Sequence, residues 1–228
     1  MTEAENSGQW RSALVRLLVM GIVLGLWFWT QSLIGARTPP ASGIGDALHN
    51  LSAGANSYFA QNPGAANALL IVSSALIDAL GLFLLGRWLF GGSVRPFLGL
   101  FLVMTLRQLL QAICALPPPP NMIWHYPGFP SMLVTYHVAN DFFFSGHTAI
   151  AVLGAIELSR LRRYWLTVLA VLIVVFEIAT VLVLRAHYTM DVFAGIVAAL
   201  SVTRLSEQIS PRLDQLITSK AGFAESPR

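Results

Sequence analysis

Residues 164–184 form an apolar run broken by one charged side chain, Glu177. A stretch of that length fits the hydrocarbon core of a bilayer, which takes about 20 apolar residues per helix. In lipid a chain must satisfy its own backbone hydrogen bonds, so the run predicts a transmembrane helix. The same reasoning applies to residues 17–36, 65–85, 96–116, 142–156 and 185–202. The first of these is longer than the apolar core of a cleaved signal peptide, about 7–15 residues, and reads as a retained helix. Composition agrees: 55% of the 228 residues are hydrophobic and 11% are charged, against about 25% charged in a soluble domain. The expectation is an all-α polytopic membrane protein with six transmembrane helices. They form one domain, residues 11–205, between a polar tail at 1–10 and another at 206–228.

Turn signals punctuate the connections. Residues 37–64 carry TPP, GIG and NPG and read as a loop with a short interfacial helix around residues 46–59. Gly91, Gly92 and Pro96 mark a tight turn. Residues 117–120 are all proline and end the third span. The loop that follows, as far as His137, has no lysine or arginine.

Arginine placement sets the orientation. Arg11 and Arg16, then Arg87 and Arg95, then Arg160, Arg162 and Arg163, then Arg204, Arg212, Lys220 and Arg228 fall on one side. The opposite loops hold only Arg37 and Arg185. Both termini are therefore expected in the cytoplasm. Of the 14 basic residues one is lysine. With abundant alanine and glycine, that usage points to a bacterial inner-membrane protein. A net charge of +3 with dispersed basic residues gives no support for nucleic-acid binding. The single cysteine, Cys114, excludes an intramolecular disulfide, and there is no zinc-type Cys/His spacing.

Two stretches place polar chemistry where lipid should be: residues 142–149, FFFSGHTA, and residues 185–192, RAHYTMDV. Ionisable groups at such depth are costly and are functional candidates by default. His187 and Asp191, four apart, would share a helix face and could hydrogen-bond. The alternative reading is a buried pair that staples two helices. Ser145, Gly146, His147 and Thr148 read either as a polar helix–helix contact or as a site where glycine lets a phosphate approach the backbone. Both stretches lie at the same expected depth, toward the outer ends of their helices. Two histidines and an aspartate facing one cleft suit phosphoryl transfer: one histidine attacks phosphorus, the aspartate orients it, and the other histidine protonates the leaving oxygen.

Arg107, mid-span, needs an anion, either a substrate phosphate or Asp78 or Glu177. Arg185 is a second phosphate-clamp candidate, with interfacial snorkelling as its alternative role. Asp141 precedes the Ser-Gly-His-Thr cluster and would cap the fourth span or orient His147. Tyr188 and Thr148 are supporting candidates. Asp78 and Glu177 are expected to pair with arginines, and Glu157 to mark the inner end of span four. Trp124, His125, Tyr126 and Phe129 form either an aromatic wall able to hold a quaternary ammonium or an interfacial belt.

The motifs resemble, in order, those of the sphingomyelin synthase-like branch of the type 2 phosphatidic acid phosphatase superfamily, which also contains the phosphatidylcholine:diacylglycerol cholinephosphotransferases. Leu106-Arg107 followed by Leu116-Pro117, Asn140-Asp141 with Ser145-Gly146-His147-Thr148, and His187-Tyr188-Thr189-Met190-Asp191-Val192 carry the resemblance. It implies a bundle of six helices with an extracytoplasmic site and no metal or other cofactor. It implies a phosphohistidine on His187, oriented by Asp191, with His147 as general acid and then base. Where the phosphatases of the superfamily have a lysine, a proline and an arginine, this chain has Trp88, Phe144 and Val181, which favours the transferase branch. The expected partners are membrane lipids: a phospholipid donor and a diacylglycerol- or ceramide-like acceptor. The expected activity is phospho-head-group transfer. The alternative is a lipid phosphate phosphatase acting on phosphatidic acid-type substrates.

Overall fold

The computed structural model describes residues 43–224, apart from 92, 115 and 137–141, together with scattered positions between Leu18 and Leu33. About half of the expected first span, residues 17–36, falls outside the described residues, and Asp141, Asn140 and His137 lie outside them too. The chain divides into two units, Met1–Gly45 and Asp46–Arg228. In the first, the positions described between Leu18 and Leu33 are helical and exposed.

The second unit is all-helical among its described residues. Two short helices, α1 (Ala47–Leu51) and α2 (Ala53–Gln61), lead into α3 (Pro63–Gly91). Then come α4 (Arg95–Ile113), α5 (Gly146–Ser159), α6 (Tyr164–Val183) and α7 (Thr189–Ala224). Helices α1 and α2 fall where the interfacial segment is expected. Among the described residues, four stretches are long and apolar enough to cross a membrane: Pro63–Phe90, Arg95–Ile113, Tyr164–Val183 and Thr189–Leu216. The fourth expected span, residues 142–156, is displaced along the chain, to Gly146–Ser159. Helix α5 has 14 residues, or about 21 Å, because Ser145 caps it and residues 142–145 are not helical.

Helix α5 is the centre of the bundle and packs on α3, α4, α6 and α7. Its apolar residues go all the way round, as a helix covered on every side requires. Ala149, Ile150, Ala151 and Leu153 are buried in it. Where α7 passes the start of α5, a Cβ on Gly195 would lie 2.7 Å from the Ser145 carbonyl oxygen, so a side chain there would push the two helices apart. Large apolar side chains such as Leu82, Val171, Leu172 and Phe193 are exposed on the outer face, the pattern of a protein solvated by lipid.

The buried charges find partners other than those expected. Asp78 accepts from Ser131 Oγ (3.0 Å), Met132 N (2.9 Å) and Leu133 N (2.9 Å), so it holds a loop and not an arginine. Glu177 accepts from Ser73 Oγ at 2.6 Å. Glu157 is the carboxylate that takes the arginines: Arg95 reaches it with Nε at 3.0 Å and Nη2 at 2.9 Å, and Arg160 with Nε at 3.4 Å. Arg160 also pairs with Glu207, joining the start of α4 and the end of α5 to the middle of α7. Helix α7 continues to Ala224, through Pro211, beyond the point where a polar tail is expected. Its Asp214 accepts from Val94 N at 2.7 Å at the start of α4.

Candidate active site

The two polar stretches meet. The Ser145 amide donates to the Asp191 carbonyl at 3.1 Å, fixing the start of α5 against the first turn of α7. Ser145 is buried and its hydroxyl caps α5, accepting from Thr148 N at 3.3 Å and Thr148 Oγ1 at 3.0 Å. The residue types follow from the backbone: a helix end has orphan N–H groups, and a serine oxygen satisfies one of them.

Asp191 is the third residue of α7 and fully buried. Its Oδ2 reaches back to the Tyr188 amide at 2.9 Å, as an acid in the first turn of a helix commonly does. His187 lies before that turn, not inside it. Its Nδ1 is 3.8 Å from Asp191 Oδ2 and 2.8 Å from the Phe142 carbonyl oxygen. The expected imidazole–carboxylate hydrogen bond is thus replaced by one to the backbone, because the helix begins at Thr189 and not at residue 185. A carbonyl can only accept, so Nδ1 donates this bond, and in the neutral ring that puts the lone pair on Nε2.

A cavity of about 40 Å³ lies at this junction, lined by His147, His187, Arg107, Gly146, Trp124 and Met104 among others. At about 10–15 Å³ of such volume per water, it has room for roughly three waters, the scale of a phosphate group. His147, at the start of α5, is buried, and its Nε2 has no hydrogen-bond partner among the described residues. The Trp124 ring stands edge-on to it, with centroids 5.2 Å apart. Arg107 comes from α4 and donates through Nε to the Phe144 carbonyl at 3.1 Å. Gly146 lies under it: a Cβ there would be 3.0 Å from Arg107 Nε.

The remaining candidates stand apart from the cavity. Arg185 donates to the carbonyls of Pro120 (2.9 Å) and His49 (3.3 Å), with φ at +53°. Tyr188 is buried and stacks on His49 with ring centroids 5.6 Å apart. His125 bonds Asn67 Oδ1 at 2.6 Å. Of the aromatic loop residues, Trp124 lines the cavity and packs on Tyr136, which also meets Tyr126.

Sequence reasoning missed the residues of α1 that reach this site. His49 Nε2 lies 2.9 Å from the His187 carbonyl oxygen. Asp46 caps α1 and also accepts from Thr189 N (2.6 Å) and Thr189 Oγ1 (2.7 Å). Burial acts to raise the Asp46 pKa, and hydrogen bonds from Thr189 and His49 outweigh it, holding the carboxyl below its ordinary 3.8. Asn56 of α2 donates to the Val183 carbonyl at 2.9 Å. The available signal was a capping aspartate three residues before a histidine in a loop with few charges.

Comparison with known proteins gives two curated relatives from Arabidopsis thaliana. Phosphatidylcholine:diacylglycerol cholinephosphotransferase 1 is 22% identical over 84% of this chain and 60% of its own length. Phosphatidylcholine:diacylglycerol cholinephosphotransferase 2 is 25% identical over 55% of this chain and 42% of its own length. The chain therefore spans less than two thirds of the length of either. No solved structure matches it. The AtPDCT1/2 family model matches residues 46–208, from the aspartate that caps α1 to just past Glu207 of α7, and the chain belongs to that family.

Proposed function

We propose that this chain is an integral membrane phosphotransferase that moves a phospho-head group, phosphocholine-like, from a phospholipid to a diacylglycerol- or ceramide-like acceptor. The observation that carries the reading is the placement of His187, His147 and Arg107 around one buried cavity, with His187 Nδ1 taken up by the Phe142 carbonyl. The named activity of the two relatives supports the same class of substrate.

In this reading His187 Nε2 attacks phosphorus and the bond from phosphorus to the glycerol oxygen breaks. His147 gives its proton to the departing oxygen, leaving a phosphohistidine and a lipid alcohol. The Arg107 fork holds phosphate oxygens and offsets charge in the transition state. Asp191 stabilises the positive charge that forms on the imidazole. In the second half an acceptor hydroxyl attacks phosphorus, His147 takes its proton, and the phosphorus–nitrogen bond breaks. Gly146 gives the phosphate room, and Ser145, Thr148 and Tyr188 hold the geometry. The route uses no metal, so chelators should leave turnover unchanged.

The same proposal has six spans in one domain, residues 11–205. The first is residues 17–36 and the fourth is α5 with the segment before it. The termini are cytoplasmic and the cavity opens on the extracytoplasmic side. The test uses purified protein in mixed micelles with phosphatidylcholine labelled in its head group and diacylglycerol in excess. Label should move onto the lipid acceptor faster than it appears as soluble product. Dominant soluble release, unchanged by any lipid alcohol, would mean a lipid phosphatase.

A further inference from the structure

We infer that Asp46 and His49 are positioning residues for His187, and that the short helix α1 serves to hold that imidazole in line with the cavity. The inference rests on the reading of His187 as the nucleophile. His187 sits in a turn between α6 and α7 whose backbone is only partly held by its own helices. The Asp191 amide bonds the Tyr188 carbonyl at 3.0 Å, leaving the His187 carbonyl outside the ladder of α7. His49 supplies its partner, at 2.9 Å, across 138 residues of sequence. Since a carbonyl accepts, His49 must present Nε2–H to it.

The other contacts of the same turn converge there. The carboxylate of Asp46 takes both the amide and the hydroxyl of Thr189, two residues after His187. The His49 ring stacks on Tyr188, one residue after it. The Arg185 guanidinium, two residues before it, donates to the His49 carbonyl. Both side chains are almost fully buried, at 6% exposure for His49 and 5% for Asp46, so water does not compete for these bonds. His187 is thereby held at three points: its ring by the Phe142 carbonyl, its amide by the Val181 carbonyl at 3.4 Å and its carbonyl by His49. Without His49 the His187–Tyr188 peptide would be held only at its other end, where the Tyr188 amide donates to Asp191 Oδ2, and it would tilt and swing Nε2 off the line of attack. A displacement of about 1 Å from a productive geometry is enough to cost about 100-fold in rate.

The test uses the full chain and the micelle assay, with a single-turnover measurement of phosphoenzyme formation. His49→Phe keeps an aromatic ring against Tyr188 and removes the Nε2–H donor. It should lower kcat and the phosphoenzyme rate by about 10–100-fold, with KM within about twofold, as expected of a residue that acts on the nucleophile and not on substrate binding. His49→Gln, whose amide nitrogen can reach the same carbonyl, should recover most of the loss. Asp46→Asn, which leaves one Thr189 donor without its carboxylate oxygen, should show the kcat-selected loss without rescue. An inactive His187→Ala protein beside an unimpaired His49→Phe protein would overturn the inference and leave the phosphohistidine reading standing. Equal losses in His49→Phe and His49→Gln, tracking loss of thermal stability, would also overturn it. A fully active His187→Ala protein would remove both readings at once.

Discussion

Arg107 crosses Gly146 so closely that a methyl group on the glycine would sit 3.0 Å from the arginine Nε and 3.4 Å from its Cδ. The arginine cannot retreat freely, because that same Nε is bonded to the Phe144 carbonyl. Gly146→Ala should therefore shift the guanidinium by a few tenths of an ångström within the cavity. The expected result is a fall of about tenfold in kcat, as for a misaimed electrostatic group. Thermal stability should hold or rise, since alanine is the better helix former by about 1 kcal/mol. Arg107→Lys should cost more, about 100-fold, through loss of the planar fork. The transfer assay and a melting curve on each variant check both. Unchanged kcat in Gly146→Ala would mean that Arg107 does not hold the phosphate.

Asp191 makes a prediction that separates charge from shape. Its Oδ2 holds the Tyr188 amide, while its buried Oδ1 has no hydrogen-bond partner among the described residues. Asn at this position can keep the bond to Tyr188 through its carbonyl oxygen, so Asp191→Asn should fold. It removes the negative charge 3.8 Å from His187 Nδ1, the charge that would stabilise the imidazole once phosphorus is attached. Phosphoenzyme formation should fall by up to about 10,000-fold, the loss seen when an orienting aspartate is neutralised beside a working histidine. A loss below about threefold would assign Asp191 to capping alone.

The residues at the cavity were legible for one reason: polar groups inside apolar runs stand out when burial costs this much. His147, His187 and Arg107 needed no structure to be singled out. His49 did, because a histidine in a polar loop gives no sign of burial and its partner carbonyl is 138 residues away. The charges Asp78 and Glu177 were visible, but their partners were not. Opposite charge is the obvious expectation for an acid in lipid. Backbone amides of a loop folded across α3 satisfied one instead, and a serine the other. The start of α7 at Thr189 was obscured by the apolar residues around it. Only the cap made by Asp191 and Asp46 reveals that His187 precedes the helix.

Orientation is open to a direct chemical test. Met122 lies in the loop between α4 and α5, and Leu161 in the turn between α5 and α6. The native Cys114 is exposed, so it is replaced by serine first. In intact cells Met122→Cys should react with an impermeant thiol reagent and Leu161→Cys should not. The reverse pattern would place the cavity on the cytoplasmic side and contradict the arginine distribution.

The last prediction concerns water. Residues Leu133, Val134 and Thr135 line one wall of the cavity, and the segment that carries them is tied to α3 by Asp78. That carboxylate takes Ser131 Oγ, Met132 N and Leu133 N, and Ser131 Oγ in turn accepts from Val134 N at 3.0 Å. Hydrogen bonds to a charged group are worth about 1.5–3 kcal/mol each, so Asp78 is a main tie of this wall, beside the Trp124–Thr135 and Ser74–Tyr136 hydrogen bonds. A phosphohistidine awaiting a lipid hydroxyl survives only while water is kept away from it. Asp78→Ala should loosen the wall and raise the ratio of soluble head group to transferred head group by about tenfold. A shift of that size corresponds to about 1.4 kcal/mol, less than one of the bonds removed. Asp78→Asn keeps one acceptor oxygen and should fall between. Phosphoenzyme formation should change little in either variant, because His187, His147 and Arg107 are not touched. An unchanged ratio in an otherwise active Asp78→Ala protein would show that the loop is not the barrier to water, and would shift that role to Trp124 and Phe142 on the remaining walls.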